Sequence, residues 1–561
     1  MPSSSSLPPG ARAALASPAR ANSARAARAR VALWCGSVSL ALGASLGSGA
    51  CFSGSDGLIP PALELYFPTG IAISPGRNTL YVANSDFDIQ YSGGTVHAVQ
   101  LGDRDGSSGL RSLASRVSDA LAAGEDDVAA CATIGSRPNT NPILHPGPCE
   151  PIDYEGYVRA YATVGAFANA AVLVPRLDGP GLRLFVSVRG DPSVTYFDVV
   201  DDRDPAAPVS PCGQDFCLSC DASGVSLRCD ASHLIGTSAA ASIRGLSLPV
   251  EPSGLAVAPL AAGDALVVPH LTSQSASLIV NRWSDAGPFG PSLEYVLSGL
   301  PEGPSGVVHL PVPELVRAAE GAIAHRPAFV LSHRNAAALS LMRFDDDARS
   351  QPPRPFLTGL ETVTVSVTND SSDGRGMAVD ASERQSCEAK CAAGDLVCLR
   401  ACVDVPLKFY LAGRKPSALI VGTVRSELAE SDGVVSSLVE RLTLEETIPL
   451  PFGAAQVAVG SVIGQTGALE TRVFALSFDS RSILVYDPRL RRIDAFLRTG
   501  RGPFGVAFDT GLDERGVLRS YLWVTQFTDS YLAAIDLDTR RLSFGTPIVS
   551  LGPPVPPRGE Q

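Results

Sequence analysis

A strand pattern that returns seven times, a composition rich in turn formers, and a lack of helical stripes between the copies predict an all-β fold. The expected architecture is a single β-propeller of about seven four-stranded blades, with Cys-rich loop insertions and one short α-hairpin insertion. The chain has 561 residues, too many for one ordinary core but well suited to a repeat architecture. Its 53 glycines and 44 prolines, against 18% charged residues, favour many turns between short strands over long solvated helices. An apolar content of 45% excludes a wholly disordered chain. The net charge of −12 disfavours non-specific binding to nucleic acid, so no nucleic-acid partner is expected.

Residues 1–55 read as a targeting segment and not as part of the fold. Residues 1–30 carry Arg12, Arg20, Arg25, Arg28 and Arg30 and no acidic residue, and an uncharged run then extends from Val31 to Cys51. A basic region, an apolar region and small residues before a boundary make an export signal. Ser48, Gly49 and Ala50 before Cys51 resemble a bacterial lipobox, although Ser48 stands where a larger apolar residue is common. That resemblance implies a lipid on Cys51, a membrane tether through that lipid alone, and a folded part in water on the periplasmic or cell-surface side. Ordinary signal cleavage nearby and an uncleaved anchor are the alternatives. The propeller is expected over 56–552, and 553–561 is expected to be a disordered tail.

From residue 66 the repeats follow one rule: a Gly-containing start, an inner strand A, a turn, a strand B rich in Val, Leu and aromatics, a polar loop, and strand C. The first copy is PTGIAISPGRNTLYVAN with GTVHAVQL, and the last is PFGVAFD with SYLWVTQFTDSYLAAIDLD. Pro-x-Gly recurs at Pro68, Pro252, Pro304 and Pro503, and small residues such as Gly70, Gly254 and Gly505 mark strand A, where radial space is least. A fourth strand follows most copies, as in YVRAYATV, SLEYVLSGL and RIDAFLRTG. One sheet of this kind cannot bury both faces, whereas a ring of sheets can. For closure, LSFGTPIVSL completes its own blade, or the chain around ALELYF supplies the last strand.

Insertions are expected at 103–150, 202–240 and 383–405, since loops tolerate length and packed strands do not. The chain has 12 cysteines; setting aside Cys35 and Cys51 leaves ten. They fall in three local groups: Cys131 and Cys149; Cys212, Cys217, Cys220 and Cys229; Cys387, Cys391, Cys398 and Cys402. In an exported chain these read as disulfides, with a zinc site as the alternative for either group of four and a redox dithiol at Cys217 and Cys220. A c-type haem is excluded because Asp221, not His, follows the Cys217–Cys220 pair. In SCEAKCAAGDLVCLRACVD the i, i+4 spacing aligns Cys387 with Cys391 and Cys398 with Cys402 on two helices. An antiparallel hairpin then pairs Cys387 with Cys402 and Cys391 with Cys398.

The repeats P-x-G-[IV]-A-[IV]-x-P…LYVAN resemble the YVTN-type β-propellers, with Tyr81, Val82, Ala83 and Asn84 closing strand B of the first copy. The resemblance covers roughly residues 66–550, is good in the first repeat and fair in the last, where Gln526 replaces the Asn, and holds by pattern only between them. Together with the lipobox-like start it implies an exported bacterial lipoprotein and assigns no shared activity. Some members of that family resemble lactone hydrolases, which makes a lactonase-like hydrolase using His270, His333, Arg189 and Arg414 the competing reading.

No His-Glu-x-x-His, nucleophile elbow, P-loop or dinucleotide fingerprint occurs, and no catalytic residue or resident cofactor is assigned. If strand B runs the same way in every blade, all B–C loops emerge on one face of the ring. The expected ligand-binding residues there are Asn84, Arg189, His270, His333, Arg334, Arg414 and Gln526. Arginines and histidines make that face locally cationic, so the expected partner is an envelope protein or an anionic small molecule. The expected role is a non-enzymatic binding or scaffold module at the cell envelope, with function sited where the blades depart from their common pattern.

Overall fold

The computed structural model describes residues 58–102, 109–220, 228–283, 290–318, 326–347, 349–350, 354–365, 373–431 and 434–552; the expected targeting segment with Cys51 and the expected disordered tail 553–561 lie outside them. Seven antiparallel sheets follow one another along the chain in simple meander order. Blade 1 holds β1 (Pro68–Ile73), β2 (Thr79–Asn84), β3 (Gly94–Gln100) and β4 (Val158–Val164). Blade 2 holds β5 (Ala168–Pro175), β6 (Leu182–Val188) and β7 (Ser193–Val199), with two short pieces, β8 (Leu218–Ser219) and β9 (Leu234–Ile235), sharing its outer position on β7. Blade 3 runs β10 (Ala256–Pro259), β11 (Asp264–His270), β12 (Ser275–Asn281) and β13 (Ser292–Ser298). Blade 4 runs β14 (Pro304–Leu310), β15 (Ala328–His333), β16 (Ala338–Asp347) and β17 (Arg354–Thr364). Blade 5 contains β18 (Gly374–Asp380), β19 (Leu407–Arg414), β20 (Ser417–Ser431) and β21 (Val434–Pro449). Blade 6 contains β22 (Ala454–Ile463), β23 (Leu469–Ser477), β24 (Ser482–Asp487) and β25 (Arg492–Arg498). Blade 7 ends the ring with β26 (Pro503–Leu512), β27 (Leu518–Gln526), β28 (Tyr531–Asp536) and β29 (Pro547–Leu551).

The two middle strands of a blade are covered on both faces by its neighbours, so they read as continuous apolar runs and not as alternating ones. β2, β11, β12 and β28 are buried at every position. The outer strand β25 faces water along most of its length. The inner strands pack side by side around the axis, each against the next.

The recurrent Pro-x-Gly is a β-bulge. Strand pairing slips between Pro68 and Ile71, and at the matching places in β5, β14, β18, β22 and β26. The bulge turns the middle residue of the triplet toward the next blade. Thr69 Oγ1 donates to the carbonyl of Ala168 at 2.8 Å, Asn169 donates to Ser253, and Ser253 Oγ donates to Ser305 at 3.1 Å. Ser305 Oγ continues to Gly374 at 3.0 Å, so blades 1 to 5 are stitched in series. The glycine is there because the strands approach too closely for a side chain: a Cβ on Gly505 would lie 2.1 Å from the Thr69 carbonyl, and one on Gly70 would lie 2.7 Å from that of Asn169.

The ring closes without strand exchange: β29 completes its own blade, and the segment around Leu63–Phe67 adds no strand. Closure comes from the insertion between β3 and β4. Helix α1 (Leu110–Ala122) leaves blade 1 and lies over blade 7. Leu110, Leu113, Ala114 and Val117 share one core with Leu80, Val82 and Val99 of blade 1 and Trp523, Leu532 and Val549 of blade 7. Burying four such side chains at ~25 cal/mol per Å² adds to the direct packing of β1 on β26 at this seam. Polar contacts fix the register. Buried Asp509 receives Arg77 Nε at 2.7 Å and Arg111 Nε at 2.9 Å. Asp119 meets Arg515, Arg519 and Arg541 at 2.6, 2.7 and 2.9 Å. Burial opposes its charge, but hydrogen bonds from these three arginines hold the Asp119 carboxyl well below the usual carboxylate range. Helix α2 (Asp127–Ala132) follows, stapled by Cys131–Cys149, and the chain then lies along β29, where Ile152 exchanges backbone hydrogen bonds with Ser550 and Gly552 at 2.9 Å each.

The remaining cysteines pair as Cys212–Cys217, Cys220–Cys229, Cys387–Cys402 and Cys391–Cys398. The last two close the hairpin of α4 (Ser382–Glu388) and α5 (Leu396–Val403), which packs on α3 (Glu314–Ala318) from the A–B insertion of blade 4. Because the α1 contact closes the ring, Leu113→Ala is expected to lower the unfolding free energy by about 2–5 kcal/mol. Leu542→Ala, at a side chain 90% exposed, should change it by less than ~0.5 kcal/mol. Urea denaturation of both variants measures the difference.

Candidate functional site

The start of every inner strand and the end of every second strand lie at the same end of the ring, so each D–A connection and each B–C loop reaches one face. The structure divides the seven expected ligand-binding residues into two groups on that face. Asn84, His270, His333 and Gln526 are buried, with at most 1% exposure. They end strands β2, β11, β15 and β27, where they are covered by the chain entering the blade. Asn84 Nδ2 donates to Thr95 Oγ1 at 2.9 Å, while its Oδ1 accepts from the Tyr66 amide at 3.1 Å. His270 Nε2 is hydrogen-bonded to Ser277 Oγ, and His333 Nε2 to Ser340 Oγ, both at 2.8 Å. Burial pushes each imidazole down to about 4, partly offset by carbonyls of Val250 and Pro249 beside His270 and of Pro301 beside His333. These side chains fasten strand B to strand C and are withdrawn from solvent. Gln526 sits in the same place, with neither amide atom partnered among the described residues.

Arg189, Arg334 and Arg414 behave differently: the first two sit just beyond strand B, Arg414 is its last residue, and each reaches toward a neighbouring blade. Arg189 meets Glu251 at 3.2 Å, Arg334 meets Asp373 at 3.5 Å, and Arg414 meets Asp479 at 2.5 Å. A fourth arginine joins them that was not expected from the sequence: Arg375, the second residue of β18, meets Asp373 at 2.7 Å. The group is continuous across the mouth. Arg334 is lowered by burial and then by the positive charges of Arg375 and Arg189, although Asp373 opposes this. Arg375 is lowered by burial, is raised by Asp373, and feels Arg414 as a further like charge. Arg189 belongs to blade 2, Arg334 to blade 4, and Arg375 and Arg414 to blade 5, all on the face that carries the B–C loops.

Within these ion pairs four guanidiniums face three carboxylates, Glu251, Asp373 and Asp479, leaving one formal positive charge uncompensated. Asp373 is shared by two arginines; the Nε atoms of Arg189 and Arg375, and Glu251 Oε2 and Asp373 Oδ1 of the same ion pairs, are buried without a hydrogen-bond partner among the described residues. Planar guanidiniums suit a carboxylate or another oxyanion. The sulfurs of Cys391, Cys398 and Cys402 also lie close together, but all three are engaged in disulfides and offer no thiolate to a metal. Arg375 had a signal in the sequence: it occupies the middle of the bulge triplet, where Thr69, Asn169, Ser253 and Ser305 carry the inter-blade stitch.

No family model matches the chain, and no curated protein matches it. Among solved structures, the hydrazine synthase of Kuenenia stuttgartiensis aligns with a TM-score of 0.40 at 11% identity, covering 86% of this chain and 98% of that one. Sqt1 of Saccharomyces cerevisiae aligns with a TM-score of 0.41 at 8% identity, covering 88% and 87%. A functionally unknown protein from Desulfotomaculum acetoxidans gives 0.36 at 8% identity over 71% and 92%. These likenesses transfer no activity, and the fold assignment rests on the seven blades themselves.

The buried histidines make a pH prediction. In the unfolded chain they protonate near ~6.5, whereas in the fold they do so only near about 4. The unfolded state therefore binds more protons between those values, and stability should fall as the pH drops from ~6.5 toward ~4. The imidazole C2–H resonances of His270 and His333 should stay flat from pH ~8 to ~5 in the folded protein; titration of either near pH ~6.5 would contradict their burial.

Proposed function

We propose that this protein is a binding module of a bacterial cell envelope, tethered through a lipid on Cys51, whose arginine-bearing face recognises an anionic ligand or partner. The observation that carries the reading is the placement of Arg189, Arg334, Arg375 and Arg414, from three blades, on one face of the ring, where they outnumber the carboxylates they pair with, Glu251, Asp373 and Asp479. Like charges gathered on a partly buried face are further stabilised by an added anion, and residues on a rigid scaffold are well placed to receive one. Five disulfides support an oxidising compartment. Among the described residues no helix is long and apolar enough to cross a membrane.

Two experiments test the reading. A fluorescent acidic peptide should bind with an affinity that falls as salt rises, and Arg334→Ala with Arg375→Ala should weaken it by at least about tenfold. Equal binding of a basic peptide, or no loss in the double variant, would overturn the anion site. For the tether, Cys51→Ser should move the protein from the membrane fraction to the soluble fraction of a bacterial host, since a single anchoring site is removed. Retention of Cys51→Ser in the membrane would refute lipid attachment there.

A further inference from the structure

The arginines occupy only part of the mouth. Its remaining arc, from blade 6 through blade 7 and blade 1 to blade 2, is aromatic. Phe527, in the B–C loop of blade 7, is the hub. Its ring centroid lies 5.2 Å from Phe67, 5.2 Å from Phe87, 5.9 Å from Phe478 and 5.9 Å from Phe504. Phe87 extends the series to Phe167 at 5.8 Å. Each of these rings is on a B–C loop, directly before an inner strand, or in the bulge of one, so all belong to the same face as the arginines.

The two arcs join at both ends. In blade 6, Phe478 is followed directly by Asp479, the partner of Arg414. In blade 2, the amide of Arg189 donates to the carbonyl of Phe167 at 3.2 Å. The arc from blade 2 to blade 6 is therefore rich in guanidinium and carboxylate, and the other arc carries six phenyl rings together with one ion pair, Arg501–Asp529 at 2.6 Å in blade 7. The bulge triplet shows the same division. The hydroxyl or amide that stitches blades 1 to 4 forward is replaced by Arg375 in blade 5 and Phe504 in blade 7.

The aromatic half offers Phe87, 52% exposed on its loop, to an incoming molecule, while Phe67 is buried. Its charges are compensated or disfavoured: Arg501 is paired with Asp529, and Asp86, next to Phe87, is pushed up to about 6, mainly by burial. A ligand that spans the mouth would place its charge on the arginine side and an apolar body on the other. The excess of guanidiniums over their paired carboxylates in the arginine arc favours a ligand of negative charge.

We propose that the mouth binds an amphipathic monocarboxylate with a flat aromatic body, its carboxylate on the Arg334–Arg375 side and its ring against Phe87 and Phe527. This rests on the anion-binding reading above and names its ligand class. A carboxylate accepts guanidinium donors in the plane of the fork, and an aromatic ring packs against the tilted and edge-to-face rings of the phenyl arc. The assignment needs no movement of the blades, because both arcs sit on elements fixed by the bulged inner ring.

Three probes separate the contributions: 2-naphthoate, 2-naphthamide and acetate, titrated calorimetrically at pH ~7.5, where carboxylates of ordinary pKa are ionised. The expected result is 2-naphthoate binding at least about tenfold tighter than either other probe. Arg375→Ala should erase the preference over the amide, while Asp373 keeps Arg334 as a partner. Phe87→Ala, at a half-exposed loop position, should erase most of the preference over acetate, and thermal melts of both variants verify that they fold. If 2-naphthoate binds no tighter than acetate and both are lost in Arg375→Ala, the aromatic assignment is overturned and the anion face stands. If the amide binds as well as the acid, the monocarboxylate assignment fails. If no carboxylate, including the acidic peptide, binds, both readings fall together.

Discussion

The contact on which the ring depends is the seating of one helix across its seam. Six of the seven blade junctions join sheets that follow each other along the chain, so folding one blade brings up the next. The junction of blade 7 with blade 1 has no such help, because its partners are separated by nearly the whole propeller. Helix α1 resolves this by belonging to blade 1 in sequence and to blade 7 in packing. Its apolar residues enter a core shared by both blades. Arg111 joins Arg77 on the buried Asp509, so the charge that blade 7 buries is neutralised by blade 1. A misregistered seam that lost both arginines would leave an uncompensated carboxylate inside the protein, and that links closure to correct register.

The inner ring imposes a second constraint, which the functional face inherits. Where seven strands meet around an axis their backbones come within van der Waals contact, and a bulge with a glycine at its closest point is the local solution. The bulge also aims the middle residue of the triplet at the neighbouring blade. For four blades that residue is a small hydrogen-bonding side chain acting as a stitch. Once closure is secured elsewhere, at Thr525 on Thr69 and through α1, the same position is free to carry Arg375 and Phe504. Structure and candidate function therefore compete for a single position in each blade.

Much of the fold was legible in the sequence because its signals are local. Pro-x-Gly, the alternating inner strand and the apolar middle strands each follow from contacts repeated in every blade. The pairings Cys387–Cys402 and Cys391–Cys398 were legible for the same reason, since i, i+4 spacing on two short helices allows few partners. The outer strands were less so. In blade 2 the outer position is divided between Leu218–Ser219 and Leu234–Ile235, each two residues long and separated by an insertion, which leaves no periodicity to read. The site was legible only in part. Arg189, Arg334 and Arg414 follow from being polar and at or just beyond the end of strand B. His270 and His333 share that position in sequence, yet the chain entering each blade covers them.

By itself the sequence determined the number of blades, their inner three strands, the placement of the insertions and the residue types available to one face. These depend on short-range periodicity, turn chemistry and steric limits that each repeat states anew. Only the tertiary structure decided which of those residues reach the mouth, how Arg375 joins loop arginines from other blades, and how six phenylalanines drawn from four blades become one arc. It also decided closure, since nothing in GLRSLASRVSDALAA distinguishes a helix packed on its own blade from one packed on the last. The physical reason is common to all of these: each is a contact between residues remote in sequence, set by the curvature of the whole ring.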